Sequence, residues 1–389
     1  MPMTEPRRTL PPHTRPSLRS PAPRPRRVAH HQNDERGPLG LRFATLARSL
    51  LFGALVVAML SFAGLVVKPS RRGDVVGNPW QSFGAMRKNS VDAMFFGTSH
   101  AFTGVDPTAV WRTKGIPGFV LGGPMQSPEV TRYYVQEAFR TQRPKVVALD
   151  VVGLGYPKDR FNRAFHQLNV GYMPMSMNRL RAAMFSTPPG ERLGVTLDAW
   201  LYHNRWTELS ADDFDVWHKN AGFEYLKGWV PRPECHHVPT KPSPSLTREP
   251  ADTPDPDVAY HLPALRAIAR VCREHGAQLL LLVTPTGPPG KYTYYAKAAA
   301  KVLAEEYPNV RILDLSAPGA VPRLSYRTDF ADGGHLNADG AAKSSAVLAR
   351  YLAATYRLAD HRGEPAYRGW DDEVRQHDAY VSRLKREKR

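Results

Sequence analysis

Val91-Asp92-Ala93-Met94-Phe95-Phe96-Gly97-Thr98-Ser99-His100 is the stretch on which the reading of this chain turns. A short run rich in bulky apolar residues, closed by Gly-Thr-Ser, predicts a buried strand that delivers a serine onto a tight turn. In an open α/β sheet that position is the carboxyl edge, where such folds bind ligands. A serine at neutral pH becomes a nucleophile only beside a base. The chain offers one far downstream, in Asp329-Phe330-Ala331-Asp332-Gly333-Gly334-His335-Leu336-Asn337. An Asp three residues before a His, across two glycines, can fold back to hold the imidazole while the far ring nitrogen faces a serine. Either motif alone is commonplace. Their order and separation join them.

Between the two motifs the chain alternates. Asp106 caps a helix that starts with Pro107, and Gly118–Leu121 is a second short strand. Ser127 caps a helix through Arg140, with Pro128 at its first position and Glu129 in its first turn. Pro144–Val152 is the third strand. The pattern resumes with an amphipathic helix over His261–Glu274, a buried strand over Gln278–Val283, a helix over Tyr294–Glu306 and a last strand over Val310–Leu313. Asp332–His335 follow on a loop, then a helix from Ala338 to about Tyr356. This β-α-β-α-β order predicts a parallel, doubly wound sheet with right-handed crossovers.

With those residues in view the chain resembles the SGNH (GDSL-type) hydrolase superfamily. The likeness is carried by Phe96-Gly97-Thr98-Ser99-His100, Pro144-Lys145-Val146-Val147-Ala148-Leu149-Asp150 and Asp332-Gly333-Gly334-His335-Leu336-Asn337-Ala338-Asp339-Gly340-Ala341, and spans roughly residues 85–385. It is closer to the membrane-anchored bacterial members concerned with D-alanyl transfer to lipoteichoic acid and with polysaccharide O-acyl transfer. The resemblance implies a flavodoxin-like three-layer α/β/α sandwich with a five-stranded parallel sheet. It also implies acyl-ester chemistry, with Ser99 as nucleophile, His335 as base and Asp332 as its orienter. Asp329 is the runner-up orienter, and Asp150 reads as a structural residue at the pocket edge.

An acyl-transfer site also needs donors for the developing oxyanion. The Ser99 amide is one. The superfamily's second donor, a Gly on the loop after the second strand, falls by motif spacing on Met125, beside Gly122 and Gly123. A backbone amide serves whatever its side chain, and Gln126 offers a side-chain donor. The superfamily's Asn after the third strand is absent, the chain reading Asp150-Val151-Val152-Gly153-Leu154-Gly155. A carboxylate there cannot donate unless protonated. The transfer-type relatives lack it too, which favours transfer in a partnered, water-poor setting over free-standing hydrolysis.

Residues 1–40 are rich in Pro and Arg, contain no Lys and have almost no apolar periodicity, so the segment through residue 42 is expected to be a disordered tail. Through Arg48 it carries ten Arg against Glu5, Asp34 and Glu35, or +7 of the chain's net +17. Such charge suggests a nucleic-acid-binding arm. The next segment argues otherwise. From Leu50 to Val67 there is no charge, and eighteen apolar or small residues make a helix of about 27 Å, enough to cross a bilayer with its flanks. The span is placed at 43–68. The heavier positive load before it favours a cytoplasmic N-terminus and a domain outside. A cleaved signal peptide has a shorter apolar core nearer the N-terminus, so an uncleaved single-pass anchor is preferred.

The remaining chain suits one α/β domain over 85–356, with an insertion at 154–255 and a charged tail at 357–389. The insertion holds Arg-, Trp- and Tyr-rich helical pieces (Met177–Met184, Leu193–Trp206) and a Pro-rich loop from Pro231 to Pro256. A connection this long is either a functional lid or a helical decoration over the sheet. The tail reads as a charged helix, solvated or lying on the membrane surface. Cys272 sits on an apolar helix stripe, and a disulfide with Cys235 is not favoured. Cys235-His236-His237 lacks a second ligand pair and reads as loop. No nucleotide, flavin or metal motif appears, so no cofactor is expected.

Three functional classes remain open. The first is an enzyme that transfers or removes acyl groups on a cell-surface polysaccharide or teichoic-acid-like polymer, beside a multi-span membrane-bound O-acyltransferase. The second is a free-standing surface esterase or lipase. The third is a non-catalytic scaffold for envelope-polymer modification.

Overall fold

The computed structural model describes residues 38–70, 79–216 and 222–387. The chain divides into two compact units, Met1–Leu55 and Val56–Arg389. In the first, the described residues form the opening turns of helix α1 (Pro38–Val67). The expected tail up to residue 37 lies outside the described residues.

The second unit is α/β, built on one five-stranded, all-parallel sheet. Its strands are β1 (Ala93–Gly97), β2 (Gly118–Gly122), β3 (Val146–Asp150), β4 (Gln278–Val283) and β5 (Arg311–Asp314), in the order β2-β1-β3-β4-β5. This is the doubly wound order, with its switch point between β1 and β3. The register pairs Phe96 with Leu121 on one side and with Leu149 on the other, so the strand ends align at the carboxyl edge.

The unbroken apolar runs have a physical reason: both sheet faces are covered. Along β1, Ala93 and Phe95 enter one core while Met94 and Phe96 enter the other, and β2, β3 and β4 alternate likewise. Helices α2 (Ser99–Gly104), α3 (Pro107–Lys114) and α8 (Ala338–Tyr356) contribute Phe102, Val110 and Leu348 to the first core. Helices α4 (Pro128–Ala138), α6 (Pro256–Glu274) and α7 (Thr293–Leu303) contribute Tyr134, Ile268 and Ala299 to the second. The layering is that of a three-layer sandwich. Burying Phe95 and Phe96 contributes about 2–3 kcal/mol each.

Several boundaries differ from expectation for local reasons. Helix α6 begins at Pro256 rather than His261, because Pro256 occupies its first turn and Pro263 is tolerated inside it. Ser127 precedes α4 without making a side-chain cap. The C-terminal tail is not free: its helix α9 (Gly369–Glu387) packs one face on the domain and leaves its charged face solvated. Trp370 stacks on Trp111 at 5.0 Å, the His377 ring stacks on Trp229 at 5.1 Å, and Lys385 reaches Asp339 at 2.6 Å. Scattered aromatic residues in a charged helix supply its docking face.

The insertion proves to be two different things. Its first part contains α5 (Met177–Phe185) and several shorter helices, including Asp198–Leu201. Its Pro-rich second part runs as an extended strap against the loop that carries His335. His236 and Val238 donate to the Phe330 and Tyr326 carbonyls at 2.8 and 2.9 Å, and Ser243 donates to Pro289 at 2.8 Å. Cys235 and Cys272 are free thiols, the latter buried and pushed up to about 12 by that burial.

Candidate active site

The site is assembled where β1, β3 and the loop after β5 end. Gly97 has φ +141°, and a Cβ there would lie 2.5 Å from the Asp150 Cβ, so only glycine lets β1 close this tightly on β3. Thr98 then caps α2, its hydroxyl accepting from the His100 amide at 3.2 Å. Ser99 opens that helix and is half-buried. Asp150 holds the turn from below: its Oδ2 accepts from the Thr98 amide at 3.1 Å and the Thr98 hydroxyl at 2.6 Å, and its Oδ1 from the Val152 amide at 3.3 Å.

Ser99 Oγ lies 2.7 Å from His335 Nε2. His335 Nδ1 lies 2.8 and 3.0 Å from the two Asp332 carboxylate oxygens. With the carboxylate accepting, Nδ1 carries the proton and Nε2 accepts from the serine hydroxyl. The Asp332 carboxylate is itself fixed by the Gly334 and His335 amides at 2.9 and 3.0 Å, with Arg232 of the strap 3.6 Å away. Burial alone would raise the Asp332 pKa. The Gly334 amide, the charge and ring of His335 and its amide outweigh that and hold it below the ordinary value. This chain of groups can draw the proton from Ser99 as its oxygen attacks an electrophile.

Asp329, the runner-up orienter, is turned away. It accepts from the Ser325 amide at 2.6 Å and pairs with Lys343 at 2.7 Å, bracing the loop instead.

The oxyanion expectations separate in the same way. The Gly123 amide is committed to the Gly97 carbonyl at 3.1 Å and is not free to donate to a ligand, whereas Gln126 Nε2 spends one of its two hydrogens on the Thr131 hydroxyl at 3.0 Å and keeps the second. Among the described residues the amides of Ser99 and Met125 donate to no protein acceptor. Met125 takes φ +50°, a left-handed conformation that turns its peptide relative to its neighbours. The expected Asn after β3 is absent, yet an Asn reaches this turn from the insertion. Asn169 donates to the Pro124 carbonyl at 3.0 Å, and its Oδ1 sits where a Cβ on Gly123 would stand, 1.9 Å away. It shapes the turn, and the same residue lines the cavity beside Met125. No periodic or motif signal marks it, because its place depends on a distant segment folding back.

His100 was also unmarked. It is buried, its ring centroid 4.8 Å from that of His335 and 5.3 Å from that of Tyr292. Burial first, then the charges of His335 and Lys291, pull it down to about 3. It therefore stays neutral against His335. Its stability consequence has a definite sign. The unfolded chain takes up the His100 proton near pH 6.5 and the folded chain only near 3, so stability present above pH 6.5 is lost as pH falls. Asp150 acts oppositely. Burial pushes it up to about 6 against the Thr98 and Val152 donors, so its contribution is lost as pH rises from about 4 to 6. His100→Leu is expected to flatten the acid side of the stability profile, by about 3 kcal/mol between pH 7 and 4. Thermal unfolding as a function of pH measures this.

Beside the Met125 turn lies a cavity of about 280 Å³. Tyr156, Arg160, Phe161, Phe165 and Phe185 help to line it, mixing aromatic faces with positive charge. No protein-family model matches this chain, and no curated protein matches it significantly.

Proposed function

We propose that this protein is a membrane-anchored serine acyl-ester enzyme of SGNH type that moves or removes acyl groups on a cell-surface polymer. The observation that carries the reading is the continuous hydrogen-bonded line from Ser99 Oγ through the His335 ring to Asp332, at 2.7 and 2.8 Å. Nucleophile, base and orienter then have distinct roles. Ser99 attacks the acyl carbonyl, His335 takes its proton and returns it to the leaving alcohol, and Asp332 stabilises the imidazolium formed between those steps. The Ser99 and Met125 amides are the donors assigned to the oxyanion. The acyl-enzyme is then resolved by water or by a polymer hydroxyl.

Anchoring favours a polymer at the envelope. Helix α1 contains one segment, Phe43–Val67, long and apolar enough to cross a membrane. The Arg-rich residues before it favour an N-terminus inside. Protease added to intact spheroplasts is expected to digest the 85–389 domain, and full protection would reverse this topology. The reaction class is tested with full-length protein in detergent, given p-nitrophenyl acetate and an acylated wall polymer. Ser99-dependent acyl movement on the polymer supports the proposal. Turnover confined to the small ester assigns a simple esterase.

A further inference from the structure

The first part of the insertion is built inside out. Helix α5 buries Arg179, Ala182 and Ala183 and turns Met177, Leu180, Met184 and Phe185 outward. Beneath it Arg179 and Lys68 both reach Asp198 at 3.2 Å, each side chain 6 % exposed or less. Here the charges of Arg179, Lys68 and Asp198 are internal and paired while the large apolar groups face out, the reverse of a water-facing surface, and Arg181 is the charged side chain that α5 turns outward. It is the arrangement expected where the surroundings are hydrocarbon.

Position supports the same conclusion. The last turns of α1 enter this segment directly. A Cβ on Gly64 would meet the Ala199 amide nitrogen at 3.1 Å, Lys68 also bonds the Gly171 carbonyl, and Arg205 donates to the Val67 carbonyl at 3.0 Å. Around that junction Trp200 is 61 % and Trp206 69 % exposed, and Leu197, Leu201 and Met175 are also outward. Tryptophan favours the membrane–water interface, where its ring is half in hydrocarbon and its N–H in the headgroups.

We propose that residues 175–206 form a lipid-embedded collar around the end of α1, seated in the interfacial layer of the bilayer. The occupant is lipid rather than a groove-binding partner, because the outward groups are spread over several short helices and continue the surface of the apolar helix itself. Phe185 lies at the end of α5 and also lines the cavity beside Met125, so the collar places that cavity at the membrane surface. The inference rests on reading α1 as a membrane span, not on the acyl-ester chemistry.

The test uses full-length Cys235→Ser protein reconstituted in phosphatidylcholine vesicles, with single cysteines at Trp200, Trp206, Leu60 and Glu305 carrying an environment-sensitive fluorophore. Cys272 is buried and stays unlabelled. Spin-labelled phosphatidylcholine is expected to quench the labels at 200 and 206 several-fold more than the label at 305, approaching that at 60. Quenching at 60 with none at 200 or 206 overturns the collar alone. Absence of quenching at all positions overturns the anchor reading with it. Quenching at 200 and 206 blocked by a co-reconstituted membrane protein would assign the face to that protein and overturn the lipid proposal. If a cysteine at 200 or 206 unfolds the chain, Met177, 62 % exposed, supplies the same measurement.

Discussion

Ser99→Ala is expected to lower acyl release from a chromogenic ester by on the order of 10⁴–10⁶-fold in kcat, with little change in melting temperature. The size follows from how the group acts. Ser99 would supply the bond-forming oxygen, so removing it deletes the covalent route and leaves only the oxyanion donors and binding. The fold should persist, because Ser99 is half-buried at the first turn of α2 and the cap of that helix is Thr98. His335→Gln should lose nearly as much. Adding the two changes should cost little more than either alone, since the groups act as a unit. Steady-state kinetics on the two single variants and the double variant measures this. Additive losses would mean that the two residues do not share one step.

Asp332→Asn carries the second large effect. An amide in place of the carboxylate favours the wrong imidazole tautomer, so kcat is expected to fall on the order of 10⁴-fold. Asp329→Asn is the comparison. Asp329 is buried, three residues from Asp332, and pairs with Lys343 rather than with His335. Its loss should leave kcat within a few-fold and lower stability by about 2 kcal/mol. Kinetics and thermal unfolding on the two variants separate orientation of the ring from bracing of its loop. The reverse pattern would exchange the roles of the two aspartates.

How much of this was legible beforehand depended on whether a signal was local. The strand run ending at Gly97, the Asp106 cap of α3 and the alternation of strand and helix were readable because capping, φ preference and apolar periodicity act over a few residues. Asp-x-x-His was readable because three residues suffice to bring Asp332 to its ring. Asn169 was not, since it reaches the Gly123 turn only through the folded insertion. The commitment of Gly123 to the Gly97 carbonyl was equally hidden, because it depends on the register of β1 against β2. The docking of α9 went unread for a related reason. Its charged composition describes the solvent side, while Trp370 and His377 alone mark the buried one.

The collar and the site also bear on each other. If the insertion rides in the headgroup layer, an acyl acceptor need not be delivered through bulk water, in keeping with the proposed transfer. Transfer would then be favoured by exclusion of water as much as by the donors themselves.

The central claim is that Ser99 is an activated nucleophile. It is tested most directly by treating the full-length protein with a fluorophosphonate, which traps activated serines, and mapping the adduct by peptide mass spectrometry. Stoichiometric labelling at Ser99, abolished by His335→Gln in a protein that still melts cooperatively, is the expected result. An unlabelled Ser99 in folded protein that still moves acyl groups, or equal labelling without His335, would contradict it.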